Sequence, residues 1–324
     1  MEIKVCRSTE FTEHEWKTYT LGFNEVFHRN FSVGFFKNKY LSVYKGYVCH
    51  AILLSEEGDA VGGVTVIPCY YYRENEKFVN GLAVDVFIRE AYRVDPLMLR
   101  RMYKKMCILL EEEGVVAVIA VPNATAYPYW KNVVKWKDVG CINYWMLPVR
   151  VGNIIGQKGV LGCVLNLGSL FYCGLVYGVS CLTSLFGTKD KNYKYRTCNE
   201  DPYFIKKFDD SSYIKYQNGD IRYIYKLENE DGVKAAYLLN AEEKDVRSFK
   251  ALMKAVSAVL SNKIDVILYV GKLEFFQTLF IKVPKKVEPK LLPLTCDLIS
   301  KDEKFADMLD MPNWDFGLKN YDVR

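Results

Sequence analysis

"VFIREAYRVDPLMLRRMYKKM", residues 86–106, passes from an apolar β-like run through a charged bend into an amphipathic helical pattern without one glycine. Asp95 stands where a helix N-cap belongs and Pro96 at the first helical position, where a missing N–H costs nothing. Those two residues read as a helix start with no further purpose. They do not account for the arginines around it, Arg89, Arg93, Arg100 and Arg101. The order of elements on either side decides what the bend belongs to.

Upstream, Thr12 and Glu15 have capping-box spacing, and Phe11 and Trp16 are placed as a hydrophobic staple, predicting a helix over 13–28. A looser stretch follows. Three strand-like runs, "YVCHAILL", "GGVTVIPCYYYR" and "KFVNGLAVDVFI", then form an antiparallel meander separated by turn-rich residues. Downstream of the bend come a helix over 96–113, the apolar strand "VVAVIAV", the loop "PNATAYP", a short helix "YWKNVVKW" and the strand-like "CINYWMLPVR".

The second half repeats this order in weaker form. A short helix "DPYFIKKF" precedes strands "YIKY", "IRYIYKL" and "KAAYLLN", with Asn218-Gly219 as a hairpin turn. The helix "DVRSFKALMKAVSAVLSNK", the strand "DVILYVG", the helix "LEFFQTLF", the strand "PLTCDLI" and the strand-like "NWDFGLKNY" follow. The pattern predicts an α+β fold of two lobes, each a mixed antiparallel and parallel sheet flanked by helices. The divisions fall at 1–150, 151–198 and 199–324. With 324 residues, two domains of roughly 150 residues are the natural division.

Between the lobes lies "VLGCVLNLGSLFYCGLVYGVSCLTSLF", residues 160–186, without a charge. Its length and apolarity meet the rule for a membrane span, and Lys189, Lys191, Lys194 and Arg196 follow. A single span would separate two lobes that read as halves of one body. Gly162, Gly168, Gly174 and Gly178 also suit close helix packing. The expectation is a buried inter-lobe helical pair serving as an apolar linker, with membrane contact through residues 160–186 as the alternative.

Forty-four basic and 39 acidic residues give a net charge of +5, a mixed surface rather than a polybasic face for nucleic acid. The ten cysteines include no Cys-x-x-Cys pair and sit mostly in apolar runs, as in reduced proteins. Three histidines without metal-ligand spacing argue against a metal site or a His-dependent triad. The first residues lack a basic-then-apolar leader pattern, so the chain is expected to be cytoplasmic or membrane-associated.

The strand, bend, helix and strand of "AVDVFIREAYRVDPLMLRR" and "VIAVPNATAYPYW", with "WKDVGCINYW" behind them and the closing "NWDFGLKNYDVR", resemble the GCN5-related N-acetyltransferase (GNAT) superfamily. The two-lobed length is similar to tandem members of that family. The resemblance implies an N-acyltransferase acting on the amine of a small molecule, an amino sugar above all. Acetyl-CoA or another acyl-CoA would be the co-substrate. In the family, a Q/R-x-x-G-x-G/A loop holds the pyrophosphate of the co-substrate on backbone N–H groups. Carried over, Arg93 stands at the Q/R position, Pro96 at the first glycine and Met98 at the second. The resemblance implies contacts from Arg93, Val94, Leu97, Met98 and Leu99 to the pyrophosphate. Val86, Phe87 and Ile88, with Asn123 across the gap, would wall the pantetheine arm. Pro96 removes a donor, and Asp95 introduces the wrong charge and competes for the remaining N–H groups.

For catalysis the resemblance implies a tyrosine that protonates the leaving thiolate, Tyr129 or Tyr127. Tyr129 is preferred, in a helix seven residues before Trp136. Asp85 and Glu25 are the candidate bases. The residues themselves also read as loop capping by Asn123, aromatic packing by the tyrosines and a solvent-facing Asp85. The second lobe, with acidic residues in "LLNAEEKDV", offers no second co-substrate loop. Its Tyr213, Tyr223, Tyr225 and Tyr237 suit either sugar stacking or sheet packing. An inactive binding or assembly module of the same architecture is the competing function.

Overall fold

The structure is a computed structural model that describes residues 1–43, 45–186, 193–209, 211–218, 221–241, 246–273 and 279–320. In chain order the main elements are β1 (Glu2–Arg7), α1 (Glu13–Phe27), α2 (Val33–Leu41), β2 (Cys49–Leu54), β3 (Ala60–Arg73), β4 (Glu76–Ile88), α3 (Met98–Glu112) and β5 (Val115–Ala120). A π-helical turn, Tyr129–Val134, leads to β6 (Lys137–Cys141), β7 (Tyr144–Pro148), α4 (Val151–Ile154) and α5 (Gly159–Phe186). Then come β8 (Tyr195–Thr197), α6 (Pro202–Lys207), β9 (Tyr213–Asn218), β10 (Ile221–Glu230), β11 (Val233–Ala241), α7 (Val246–Leu260), β12 (Val266–Val270), β13 (Ile281–Lys282) and β14 (Pro293–Leu298).

Contacts divide the chain into two units, each assembled from three stretches of sequence. The first comprises 1–141, 194–206 and 291–314, the second 142–193, 207–290 and 315–324. The first unit holds a sheet in the order β1-β2-β3-β4-β5-β14-β6, with β8 added to β3. The second holds a sheet ordered β13-β7-β12-β11-β10-β9. Each sheet has one parallel pair at its centre, β4 with β5 and β11 with β12. The strand expected to close the first lobe, β7, pairs with β12 and β13 of the second sheet. The strand expected to close the second, β14, lies between β5 and β6. Both half-repeats therefore give their last strand away, a pairing that local periodicity cannot specify. The stretch "NWDFGLKNY" forms short 3-10 turns and one bridge, Trp314 to Tyr195, instead of a strand.

Local signals explain the start of the chain. Thr12 Oγ1 accepts from Glu15 N at 3.1 Å, and Glu15 Oε2 accepts from Thr12 N at 2.8 Å. Phe11 and Trp16 meet with ring centroids 4.8 Å apart, so capping box and staple both form. The helix then lays Trp16, Tyr19 and Phe23 against the sheet. Gly63 of β3 lets Tyr19 lie so close, since a Cβ there would stand 2.7 Å from the Tyr19 ring and 3.0 Å from Phe87. β1 and α2 were not anticipated. β1 is an edge strand with charged residues at Glu2, Lys4 and Arg7 and only Cys6 buried, and α2 is a nine-residue helix capped by Ser32 with only Phe36 and Tyr40 buried.

A chain of buried hydroxyls crosses this layer. Tyr40 OH donates to Asp85 Oδ2 at 2.6 Å, Tyr19 OH lies 3.1 Å from Tyr40 OH, and Thr65 Oγ1 lies 2.9 Å from both Tyr19 OH and His50 Nδ1. Each hydroxyl has one proton, so the first assignment fixes the rest. Tyr19 donates to Tyr40, Thr65 to Tyr19, and His50 carries its proton on Nδ1. Nε2 of His50 is then a buried acceptor, and it meets no partner among the described residues. Burial pushes the His50 ring down to about 3, and the same burial, with the Asp85 carboxylate nearby, raises Tyr19 and Tyr40.

The second unit packs α7 and one side of α5 on its sheet around Leu147, Tyr223, Leu238, Val256 and Ile267. Segment 160–186 lies within one continuous helix, so the expected buried helical pair does not form. Only 22% of its apolar window is buried, namely Gly162, Ser169, Cys173 and Val176. The hairpin glycine, the acidic stretch 242–245, most of "LEFFQTLF" and the last four residues lie outside the described residues.

His50 gives the fold a specific acid sensitivity. Its folded value lies below the unfolded one, near 6.5, so its stabilising contribution is complete above pH 6.5 and is lost as pH falls toward 3. Between pH 6.5 and 5 this amounts to about 2 kcal/mol. Chemical denaturation of wild type and His50→Gln at both pH values should show that the variant, which still offers Thr65 a donor, loses this increment of pH dependence.

Candidate active site

β4 carries two pairings on opposite edges, and they end at different places. Toward β3 it is paired from Glu76 to Ile88. Toward β5 the parallel register runs only from Val79–Val115 to Leu82–Ile119, and six residues of β4 continue beyond it. The edge of Ala83–Ile88 away from β3 thus has no strand partner among the described residues. Unpaired backbone within a sheet requires other hydrogen-bonding groups, and a gap between parallel strands admits an extended chain that supplies them.

The parting coincides with a bulge. Gly63 pairs with Phe87 and Thr65 with Val84, so β4 spends one more residue than β3 over the same step. Asp85 occupies the extra position with φ = +50°, a left-handed conformation that Asp adopts more readily than most residues. Its side chain is about 10% exposed, 2.7 Å from Lys39 Nζ and 2.6 Å from Tyr40 OH. The carboxylate anchors α2 to the bulge and does not face solvent as plain strand alternation suggests. Glu25, the other candidate base, is ion-paired to Arg89 at 2.7 Å.

The expected walls behave differently from one another. Phe87 is buried against Tyr19 and Phe23, while Val86 and Ile88 pack in part on the core under α3. Past the strand, Arg93 Nε donates to the Ile88 carbonyl at 2.7 Å and folds the bend back on its own strand. Val94 and Leu97 are exposed, Met98 is buried, and Leu99 is packed against the same core as Met98.

At the helix start, Asp95 takes two donors. Its Oδ1 accepts from Leu97 N at 2.9 Å and its carbonyl from Met98 N at 3.1 Å. Its other oxygen lies 2.6 Å from Arg101 Nη2. Arg101 N is used by the Leu97 carbonyl. Of the first four N–H groups of α3, those of Leu99 and Arg100 meet no acceptor among the described residues. Arg100 also has no carboxylate partner among those residues, and its Nε is buried without an acceptor. These two amides lie at the start of α3, past the carboxyl end of β4, the end of a helix that favours negative charge.

After β5, Asn123 Oδ1 accepts from Ala126 N at 2.8 Å, which caps the turn into the π-helix. Tyr127 OH donates to Asp138 Oδ1 at 2.8 Å, and burial together with that carboxylate raises it above the ordinary phenol range. Tyr129 is half exposed, and its hydroxyl meets no partner among the described residues. It does not share a helical face with Trp136. The helix ends at Val134, and Trp130 is the residue that stacks on Trp136, 4.3 Å away. The site residues that sequence reasoning missed are Lys39 and Tyr40, on the helix it did not foresee. In the second unit Tyr223, Tyr225 and Tyr237 are buried, which fits sheet packing.

No family model matches the chain, and no curated protein is similar to it in sequence. Solved structures are similar in fold. A GCN5-related N-acetyltransferase from Anabaena variabilis superposes with a TM-score of 0.60 at 11% identity, over 92% of this chain and 73% of that one. One from Kribbella flavida gives 0.57 at 9%, over 92% and 72%. Saccharomyces cerevisiae N-myristoyltransferase with bound myristoyl-CoA gives 0.50 at 10%, over 91% and 82%.

The bulge yields a direct test. Asp85→Asn keeps a residue that tolerates left-handed backbone and an acceptor for Tyr40, whereas Asp85→Val loses both. Denaturation should place the valine variant at least about 1–2 kcal/mol below the asparagine variant, the strain of a β-branched residue in that conformation.

Proposed function

We propose that this chain, which has the fold of the GCN5-related N-acetyltransferases, transfers an acyl group from acyl-CoA to the amine of a small molecule. The observation that carries this reading is the parting of β4 from β5 after Leu82–Ile119, beside the start of α3. In this reading the amide of the pantetheine arm pairs with the open edge of Ala83–Ile88. The pyrophosphate is held by the N–H groups of Leu99 and Arg100 and by the Arg100 side chain. Val86, Ile88 and Asn123 line the arm, and Arg93 fixes the bend through the Ile88 carbonyl. Phe87 and Met98 contribute backbone and packing only.

Tyr129 is the residue we assign to protonate the departing thiolate, because it is half exposed and its hydroxyl meets no partner among the described residues, while Tyr127 is committed to Asp138. Asp85 is assigned to hold the bulge, and so the shape of the gap. Rate acceleration would come mainly from juxtaposing amine and thioester, with a backbone N–H polarising the carbonyl. Acetyl-CoA or a longer acyl-CoA fills the donor role, and an amino sugar is the acceptor class proposed. A binding module without activity is the second reading, favoured by Asp95 occupying two of the donors that a pyrophosphate would use.

Thermal shift with acetyl-, octanoyl- and myristoyl-CoA tests the first reading, since a ligand of the folded state at free concentration L stabilises it by RT ln(1 + L/Kd) and so raises the melting point as L rises. Absence of any shift at millimolar concentration would overturn it. Asp95→Gly frees the Leu97 amide and removes a repelling charge, and should tighten acyl-CoA binding by about three- to tenfold. In a chain that binds and transfers, Tyr129→Phe should lower kcat by about a hundredfold with little change in KM, and Tyr127→Phe should be milder. Binding without transfer to any amine would instead support the module.

A further inference from the structure

We infer that α5 is a membrane-docking element that lies in the plane of an anionic lipid surface with its outer face in the acyl boundary. This inference does not depend on acyl transfer. The helix is 28 residues long, about 42 Å, and carries no charged side chain. Its inward stripe leaves an arc of roughly 200° on a helical projection, and Val160, Val164, Leu167, Phe171 and Leu175 lie along it. Leu167 is 67% exposed and Phe171 76%. A helix against water normally turns charged residues outward, and here the outer arc, among the described side chains, contains apolar residues, glycines, Cys163, Cys181 and Tyr177.

Length alone would allow a span, but the middle of the helix is tied to its own unit. Ser169 Oγ donates to the Val149 carbonyl at 2.9 Å and accepts from Val151 N at 3.1 Å. Asn166 Nδ2 donates to Asn153 Oδ1 at 3.1 Å, and Cys173 Sγ contacts the Pro148 carbonyl at 3.4 Å. A crossing helix would draw the end of β7 and the start of α4 into hydrocarbon, where each unmet polar group costs several kcal/mol. Lying flat keeps those bonds on the protein side and immerses only the apolar arc.

Charge points to lipid rather than to a second copy of the chain. In sequence, Lys158 precedes the helix, and Lys189, Lys191, Lys194 and Arg196 against one Asp190 follow it, so basic residues outnumber acidic ones on both flanks in a chain of net charge +5. A partner helix would cover a narrower seam and would be expected to meet a polar rim, which this arc lacks.

The test is flotation of the purified full-length chain with vesicles of phosphatidylcholine alone and of roughly three parts phosphatidylcholine to one part phosphatidylglycerol. Wild type should float with the anionic vesicles and less with the neutral ones. Leu167→Glu with Phe171→Glu should reduce the bound fraction by about tenfold or more, and the milder double serine variant by less, with both melting like wild type. On bound protein, an impermeant amine reagent added outside should label Lys158 and Lys191 alike. The proposal fails if wild type stays unbound to both vesicles, or if the glutamate variant binds equally. Labelling at one end only would mean that the helix crosses. Conversion of a dimer to a monomer by the glutamates in the absence of lipid would make the occupant a second copy.

Discussion

The hydrogen bond from Tyr40 to Asp85 sets the shape of the first unit. It fixes the extra residue of β4 in a left-handed turn, and a bulge bends and twists the strand that carries it. Just before that bend β4 ceases to pair with β5, while its pairing with β3 continues to Ile88. The bond cannot be varied alone, because the single proton of each hydroxyl orders Tyr40, Tyr19, Thr65 and His50 in one direction. A neutral, buried imidazole at one end and a carboxylate at the other make the chain self-consistent. With a charged His50 it would hold an unpaired buried cation.

The bend after β4 shows how two uses of one helix start compete. Asp95 supplies the cap that a lone helix wants, and in doing so takes the Leu97 and Met98 amides from any anion. Arg101 partly neutralises that carboxylate, and Arg93 is spent on the Ile88 carbonyl. Of the arginines that stand out in the sequence, Arg93 and Arg101 hold the bend, Arg89 pairs with Glu25, and Arg100 Nε has no acceptor among the described residues.

Elements with a local signature were legible. The capping box and staple at Phe11–Trp16 form as spaced, the meander of three strands is present, and the helix over 96–113 appears as α3. What stayed hidden depends on partners distant in sequence. β1 and α2 have too few buried residues to impose a period, and the exchange of β7 and β14 is a matter of which sheet accepts them. Asp85 looked like an ordinary alternating residue, because nothing in "LAVDVFI" announces positive φ. The charge-free segment was read correctly for composition, but its burial was misjudged, since apolarity does not say which face finds a neighbour.

The position of β14 also has a consequence in time. Ala120 of β5 and its neighbour Thr295 are 175 residues apart, so the place between β5 and β6 stays open while the intervening residues are synthesised. At about 5–20 residues per second that delay is on the order of 10–35 s. Throughout it, the nascent first unit presents two β edges side by side, a template for any extended strand nearby. Those edges lack the strand that joins them until residues 293–298 are made, and a message truncated upstream of them would yield a chain without it.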